Sequence, residues 1–131
     1  MAITALYAAL LAPLFFLLSI RVIAARRSER IPVGDGGNER ILRRMRVQGN
    51  FAEHAPLALI LLALAESLAT DARVLHAIGV ALLLGRFAHA FGMSQDPENF
   101  KLRVSGIALT FTAQLSAAAA CLFGTLRHFA F

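Results

Sequence analysis

The chain has 131 residues, room for one domain, with 58% hydrophobic and 16% charged side chains and a formal net charge of +5. A soluble domain carries about 25% charged residues to cover its surface, and the apolar residues here gather in runs too long for a small core to absorb. An ordinary soluble fold is therefore excluded. Nucleic acid is also a poor partner for the basic excess, because arginines beside apolar segments set membrane topology and meet phospholipid or an anionic ligand.

The first apolar run, from Ala2 to Ala25, contains Pro13 and is interrupted only by Arg21 near one end. A membrane span needs roughly 20 apolar residues, so this run suffices. No positive residue precedes it and Arg21, Arg26 and Arg27 follow, the order of an uncleaved first span rather than a secretory signal. Arg26 to Gly37 is polar and ends in "GDGG", a turn without the strand and helix context of a nucleotide loop. A second helix is predicted from Asn38, with Asn38 or Asp35 as its cap; it is polar through Asn50, apolar to Leu68 and bent at Pro56. After a short "ATDAR" link, the third run covers Val74 to Met93. The loop "SQDPENFKLR" then leads to a fourth run, Val104 to Leu126, and an "RHFAF" tail. The reading is one all-α domain over residues 1–131, a bundle of four transmembrane helices.

Basic residues are distributed unevenly. Arg26, Arg27, Arg30, Arg40, Arg43, Arg44 and Arg46 lie between the first two spans, Lys101 and Arg103 between the last two, and only Arg73 and Arg127 on the other side. The positive-inside rule then places both long connections in the cytoplasm and both termini outside it. The alanine run Ala117 to Ala120 allows close helix packing. Cys121, the single cysteine, excludes an intrachain disulfide and reads as a small buried hydrophobe.

Ionisable groups at membrane depth cost several kcal/mol and each needs a partner or a purpose. Arg43, Arg46, Asn50 and Glu53 share one face of the second helix through spacings of three, four and three. Such a stripe cannot face lipid. An internal ion-pair network and a site for an anionic, peptide-like molecule fit the spacing equally well. Arg86 and His89 form a second pair on the third helix, and Arg103 opens the fourth. Arg21 either snorkels or joins this cluster, Lys101 snorkels, and Gln114 bonds across helices. Glu66 and Asp71 read as solvated, and His76 and His128 as interfacial. His54 has no second ligand at helical spacing beyond the adjacent Glu53, so no metal site is predicted. Tyr7 lies near the outer end of the first helix.

"NERILRRMRVQGNFAEHAPLALILLALAE", Asn38 to Glu66, with the preceding "GDGG" and "LLLGRFAHAFG" from Leu82 to Gly92, resembles the MAPEG family, membrane-associated proteins of eicosanoid and glutathione metabolism. The resemblance covers essentially the whole chain. It implies a homotrimer with glutathione bound between subunits near the cytoplasmic side. Arg46, Asn50 and Glu53 match the glutathione-contacting residues on the second helix, and Arg86 and His89 match the pair on the third. Arg21 or Arg26 corresponds to the first-helix arginine. Arg103 corresponds to the arginine that stabilises the thiolate. The sequence departs from the family at Gly49, where prostaglandin synthase members carry another arginine, and at Met93, where transferase-like members carry tyrosine. Ser105 stands near Arg103 but not beside it. The implied function is a membrane-bound glutathione transferase or peroxidase acting on a hydrophobic electrophile or lipid hydroperoxide in a bacterial inner membrane. The alternative is a non-catalytic lipid-binding or structural membrane protein of the same fold.

Overall fold

The structure, a computed structural model, describes residues 1–129. It contains four helices, α1 (Ala2–Glu29), α2 (Glu39–Ser67), α3 (Ala72–Ser94) and α4 (Phe100–Phe129), and no strand among the described residues. All four are long and apolar enough to cross a membrane. The helices outrun the apolar segments that announce them. α1 continues through Arg26 and Arg27 to Glu29, and α4 begins at Phe100 rather than Val104 and runs through the tail as far as Phe129. Hydrophobicity marks where a helix enters lipid, whereas backbone hydrogen bonding carries it on into water.

Local chemistry sets the boundaries. The Asn38 side chain accepts from the backbone N–H groups of Arg40 and Ile41 at 3.0 and 3.2 Å, a cap contributing about 1 kcal/mol. Asp35 instead builds the preceding turn, where Gly34, Gly36 and Gly37 take positive φ of 73°, 60° and 76°. α2 runs unbroken through Pro56.

α2 and α3 form the short diagonal of the bundle. Each touches both α1 and α4, while α1 and α4 do not meet among the described residues. Leu11, Leu62 and Leu82 are fully buried between helices, yet Phe16, Phe91 and Leu115 are more than 60% exposed. An apolar exterior around an apolar interior is what a bilayer solvent requires. Apolar burial then adds little to helix association, which rests on close packing and cross-helix hydrogen bonds.

Close packing is tightest between α3 and α4. A Cβ on Gly106 would collide with the backbone N and Cα of His89, and one on Gly85 would lie 2.9 Å from the Gly106 carbonyl. These two glycines let the helix backbones touch. Ala113 and Ala117 continue the same buried seam, so the alanine run contributes mainly through its first member.

Glu66 departs from expectation. Rather than being solvated, its carboxylate is largely buried and caps α1 from α2, accepting from the N–H groups of Ile3 and Thr4 at 3.0 and 2.9 Å and from the Thr4 hydroxyl at 2.7 Å. The positive end of the α1 dipole is thereby answered by a full negative charge. Nearby, the Tyr7 hydroxyl meets His76 Nδ1 at 3.0 Å and donates to its carbonyl at 3.1 Å, with the ring lying over Gly79. Cys121 is half-buried, its thiol 3.2 Å from the Leu61 carbonyl.

Candidate functional site

The buried centre of the site is Arg86. Its position on α3 turns it towards α2 and α4, where it is only 1% exposed. Nε donates to the Thr110 hydroxyl at 2.9 Å, and Nη1 donates to the Asn50 side-chain oxygen at 2.9 Å and its carbonyl at 3.3 Å. The Thr110 hydroxyl passes its own proton to the Gly106 carbonyl at 2.9 Å. No carboxylate lies within ion-pair distance of Arg86 among the described residues, and its Nη2 has no hydrogen-bond partner. Burying a guanidinium without a counter-charge is costly, and among the described residues only the hydroxyl, amide and carbonyl oxygens of Thr110 and Asn50 offset that cost.

His89 lies one turn further along α3. Its Nδ1 is 3.0 Å from the Arg103 carbonyl, while its Nε2 is buried and unpartnered. Arg103 thus contributes to this contact through its backbone. Its guanidinium turns to Glu98, with Nη1 at 2.8 and 2.9 Å from the two carboxylate oxygens.

The predicted stripe on α2 divides among three partners. Arg43 reaches the α3–α4 connection, donating to the Gln95 carbonyl at 2.8 Å and approaching Asp96 at 3.6 Å. Asn50 turns inward to Arg86. Arg46 and Glu53 pair across two turns at 3.8 Å and are 58% and 53% exposed. This open charged pair stands beside the apolar half of a spanning helix, where an uncovered charge is costly.

Two hollows flank the Arg43–Asp96 link. One, of about 450 Å³, is lined by Arg21, Arg40, Arg43 and Arg44 with Ser94. The other, an open groove of about 530 Å³, is lined by Arg43, Arg46, Met93 and Glu98. Arg21 donates to the Ser94 hydroxyl at 3.0 Å, whereas Arg26 is held by the Gly34 carbonyl and the Met45 sulfur. Within a single chain, then, Arg21 lines the first hollow and Arg46 the second. The arrangement unites Asn50 with Arg86 and His89 with Arg103, but leaves Arg21 apart from both.

Sequence reasoning did not single out Thr110, Glu98 or Ser94. Thr110 had a usable signal, because Gly106 and Thr110 are four apart and mark a small-residue helix contact. Glu98 and Ser94 had none, since loop geometry decides their contacts. His54 makes an edge contact with Phe111 and accepts from Gln114 at 2.9 Å through its carbonyl. This is the cross-helix role expected for Gln114. No cluster of three potential metal ligands occurs among the described residues.

Comparison with known proteins accords with the four spanning helices: the model of the MAPEG family matches residues 4–123. The chain belongs to the MAPEG family. It is 34% identical over 113 residues to the inner membrane protein YecN of Escherichia coli strain K12, an alignment covering 86% of this chain and 85% of the relative. The same figures hold for YecN of Escherichia coli O6:H1. The MAPEG match takes in every residue of the two hollows and of the Arg86 network.

Proposed function

We propose that this MAPEG protein is a glutathione-dependent transferase or peroxidase of a bacterial inner membrane, acting as a homotrimer on hydrophobic electrophiles or lipid hydroperoxides at the cytoplasmic end. The observation that carries the reading is Arg86, a buried guanidinium with an unpartnered Nη2 and no carboxylate within ion-pair distance among the described residues. Beside it on α2 stands the open Arg46–Glu53 pair.

The donor set suits a zwitterionic peptide. Arg46 offers its guanidinium to a carboxylate and Glu53 its carboxylate to an ammonium, while the unpartnered Nη2 of Arg86 and Nε2 of His89, enclosed within the bundle, join the ligand only once the helices part to admit it. Gly49 adds room, since even a Cβ there would come no nearer than 4.0 Å to the Glu53 oxygen. Bound glutathione supplies the nucleophilic thiolate, whose attack on the electrophile forms a carbon–sulfur bond and releases the leaving group. Arg103 would hold that thiolate in its charged form, an effect that requires its guanidinium to exchange Glu98 for sulfur. Covering Arg46 and Glu53 with a neighbouring subunit removes two charges from lipid, which supports an oligomer; its three-fold form rests on the family.

The test is the ultraviolet absorbance of thiolate on adding glutathione to the purified protein, together with conjugation of an aryl halide. Wild-type protein is expected to show both, and Arg103→Ala to lose most of the thiolate signal. Absence of both signals from intact protein overturns the reading.

The Arg103–Glu98 contact favours a second reading, a non-catalytic lipid-binding or structural protein, because it already neutralises the candidate catalytic charge. In that case glutathione leaves no signature at all, and Arg46→Ala and Glu53→Ala act on assembly alone.

A further inference from the structure

Most arginines at the basic end of the bundle are engaged. Arg21, Arg26, Arg43, Arg44, Arg46 and Arg103 each hold a carbonyl, hydroxyl, sulfur or carboxylate. Arg27 and Arg30 are exposed, and their side chains make no hydrogen bond or ion pair among the described residues. Both stand at the end of α1. With Ile23 and Ile31 they line a shallow depression of about 530 Å³.

Their spacing continues an apolar stripe. Phe16, Ile20 and Ile23 are 64%, 60% and 59% exposed, the steps 16, 20, 23 and 27 keep to one helical face, and Arg30, just past the helix end, lines the same depression. That face is opposite the Leu11, Leu14, Leu18 and Val22 face that packs into the bundle. Glu29, the only acidic residue of α1, lies off the stripe. At 1.5 Å per residue, Phe16 sits roughly 10 Å deeper than Ile23, and Arg27 roughly 6 Å beyond it. A slot of this length presents hydrocarbon below and two unneutralised guanidinium groups above, at the level where a spanning helix leaves the apolar layer.

One further feature points the same way. Arg30 is the α1 C-cap and adopts a left-handed backbone with φ 56°, a conformation that glycine adopts most cheaply. Its guanidinium gains no partner among the described residues in return. The negative end of the helix dipole amounts to about half a charge, less than Arg27 and Arg30 together supply.

We infer that this face of α1 is a binding slot for one anionic phospholipid of the adjacent leaflet, its phosphate held by Arg27 and Arg30 and an acyl chain lying along Ile23, Ile20 and Phe16. Planar guanidinium groups match phosphate oxygens in pairs, and a zwitterionic headgroup would add a positive charge to a site that already has an excess. The slot shares no residue with the Arg46, Asn50 and Arg86 cluster, so the inference does not depend on the thiol chemistry.

The protein contains no tryptophan, so Ile20→Trp introduces a single fluorescent reporter within the slot. In mixed vesicles, acyl-brominated phosphatidylglycerol is expected to quench it at roughly 10-fold lower mole fraction than brominated phosphatidylcholine. Adding Arg27→Gln and Arg30→Gln should remove that preference, and Arg27→Lys with Arg30→Lys should retain part of it. Arg40→Gln, which removes another exposed cation away from this face, should leave the preference intact. Equal quenching by the two lipids overturns the inference, as does a preference that survives the double glutamine substitution. Absence of quenching by either lipid, the outcome if a second copy covers this face, overturns it too.

Discussion

Thr110 shows how one hydroxyl can organise a buried charge. It accepts from Arg86 Nε and donates to the Gly106 carbonyl, so Thr110→Val leaves Nε of a buried guanidinium without its acceptor. Losing a hydrogen bond to a charged group costs about 1.5–3 kcal/mol. Thermal unfolding in detergent should therefore show a clear fall for Thr110→Val and near wild-type behaviour for Thr110→Ser. Glu66 acts in the same way at the other end of the molecule. Glu66→Gln replaces a charge that accepts from two backbone N–H groups and a hydroxyl, and should loosen the first turn of α1. Limited proteolysis near the start of α1 would report the loosening. The sequence could not disclose this second role. Spacing identifies the face a residue occupies, but the α1 N-terminus lies 63 residues away from Glu66 along the chain. The stripe on α2 illustrates the same limit: Arg43, Arg46, Asn50 and Glu53 do share a face, yet Arg43 is drawn to a loop, Asn50 to α3, and the other two to each other.

At the scale of the helix, boundaries and caps were legible where chemistry is local. Asn38 caps α2, the Gly34 to Gly37 segment turns, and Gln114 bonds across to α2. The contact between α3 and α4 was not legible, because Gly85 and Gly106 acquire meaning only when two helices are superposed. Their opposite is Gly49, whose added Cβ would meet nothing closer than 4.0 Å. Gly106→Ala should force α3 and α4 apart and lower stability by about 1–3 kcal/mol or more, as overpacking does. Gly49→Ala should be neutral or raise stability by up to about 1 kcal/mol through helix propensity. A paired thermal-denaturation experiment separates close packing from a general intolerance of substitution at glycine.

For the whole molecule, the four spans and the MAPEG assignment were visible in composition, periodicity and the segment Asn38 to Glu66. The destination of each polar group was not, because a sequence does not state which partner a charge on a helix face will meet. Arg46 and Glu53 are open, Arg86 is buried without a counter-ion among the described residues, and Arg21 lies on the far side of the Arg43–Asp96 link. Cross-linking of the protein in membranes should accordingly give a trimer, weakened by Arg46→Gln with Glu53→Gln. The central claim is that this buried and half-open charge holds an anionic thiol peptide. Calorimetric titration of glutathione into the detergent-solubilised oligomer tests it most directly. The expected result is saturable binding at or below millimolar glutathione, weakened at least about 10-fold by Arg86→Gln in a variant that still assembles. No saturable binding at millimolar glutathione by the intact wild-type oligomer would contradict the claim.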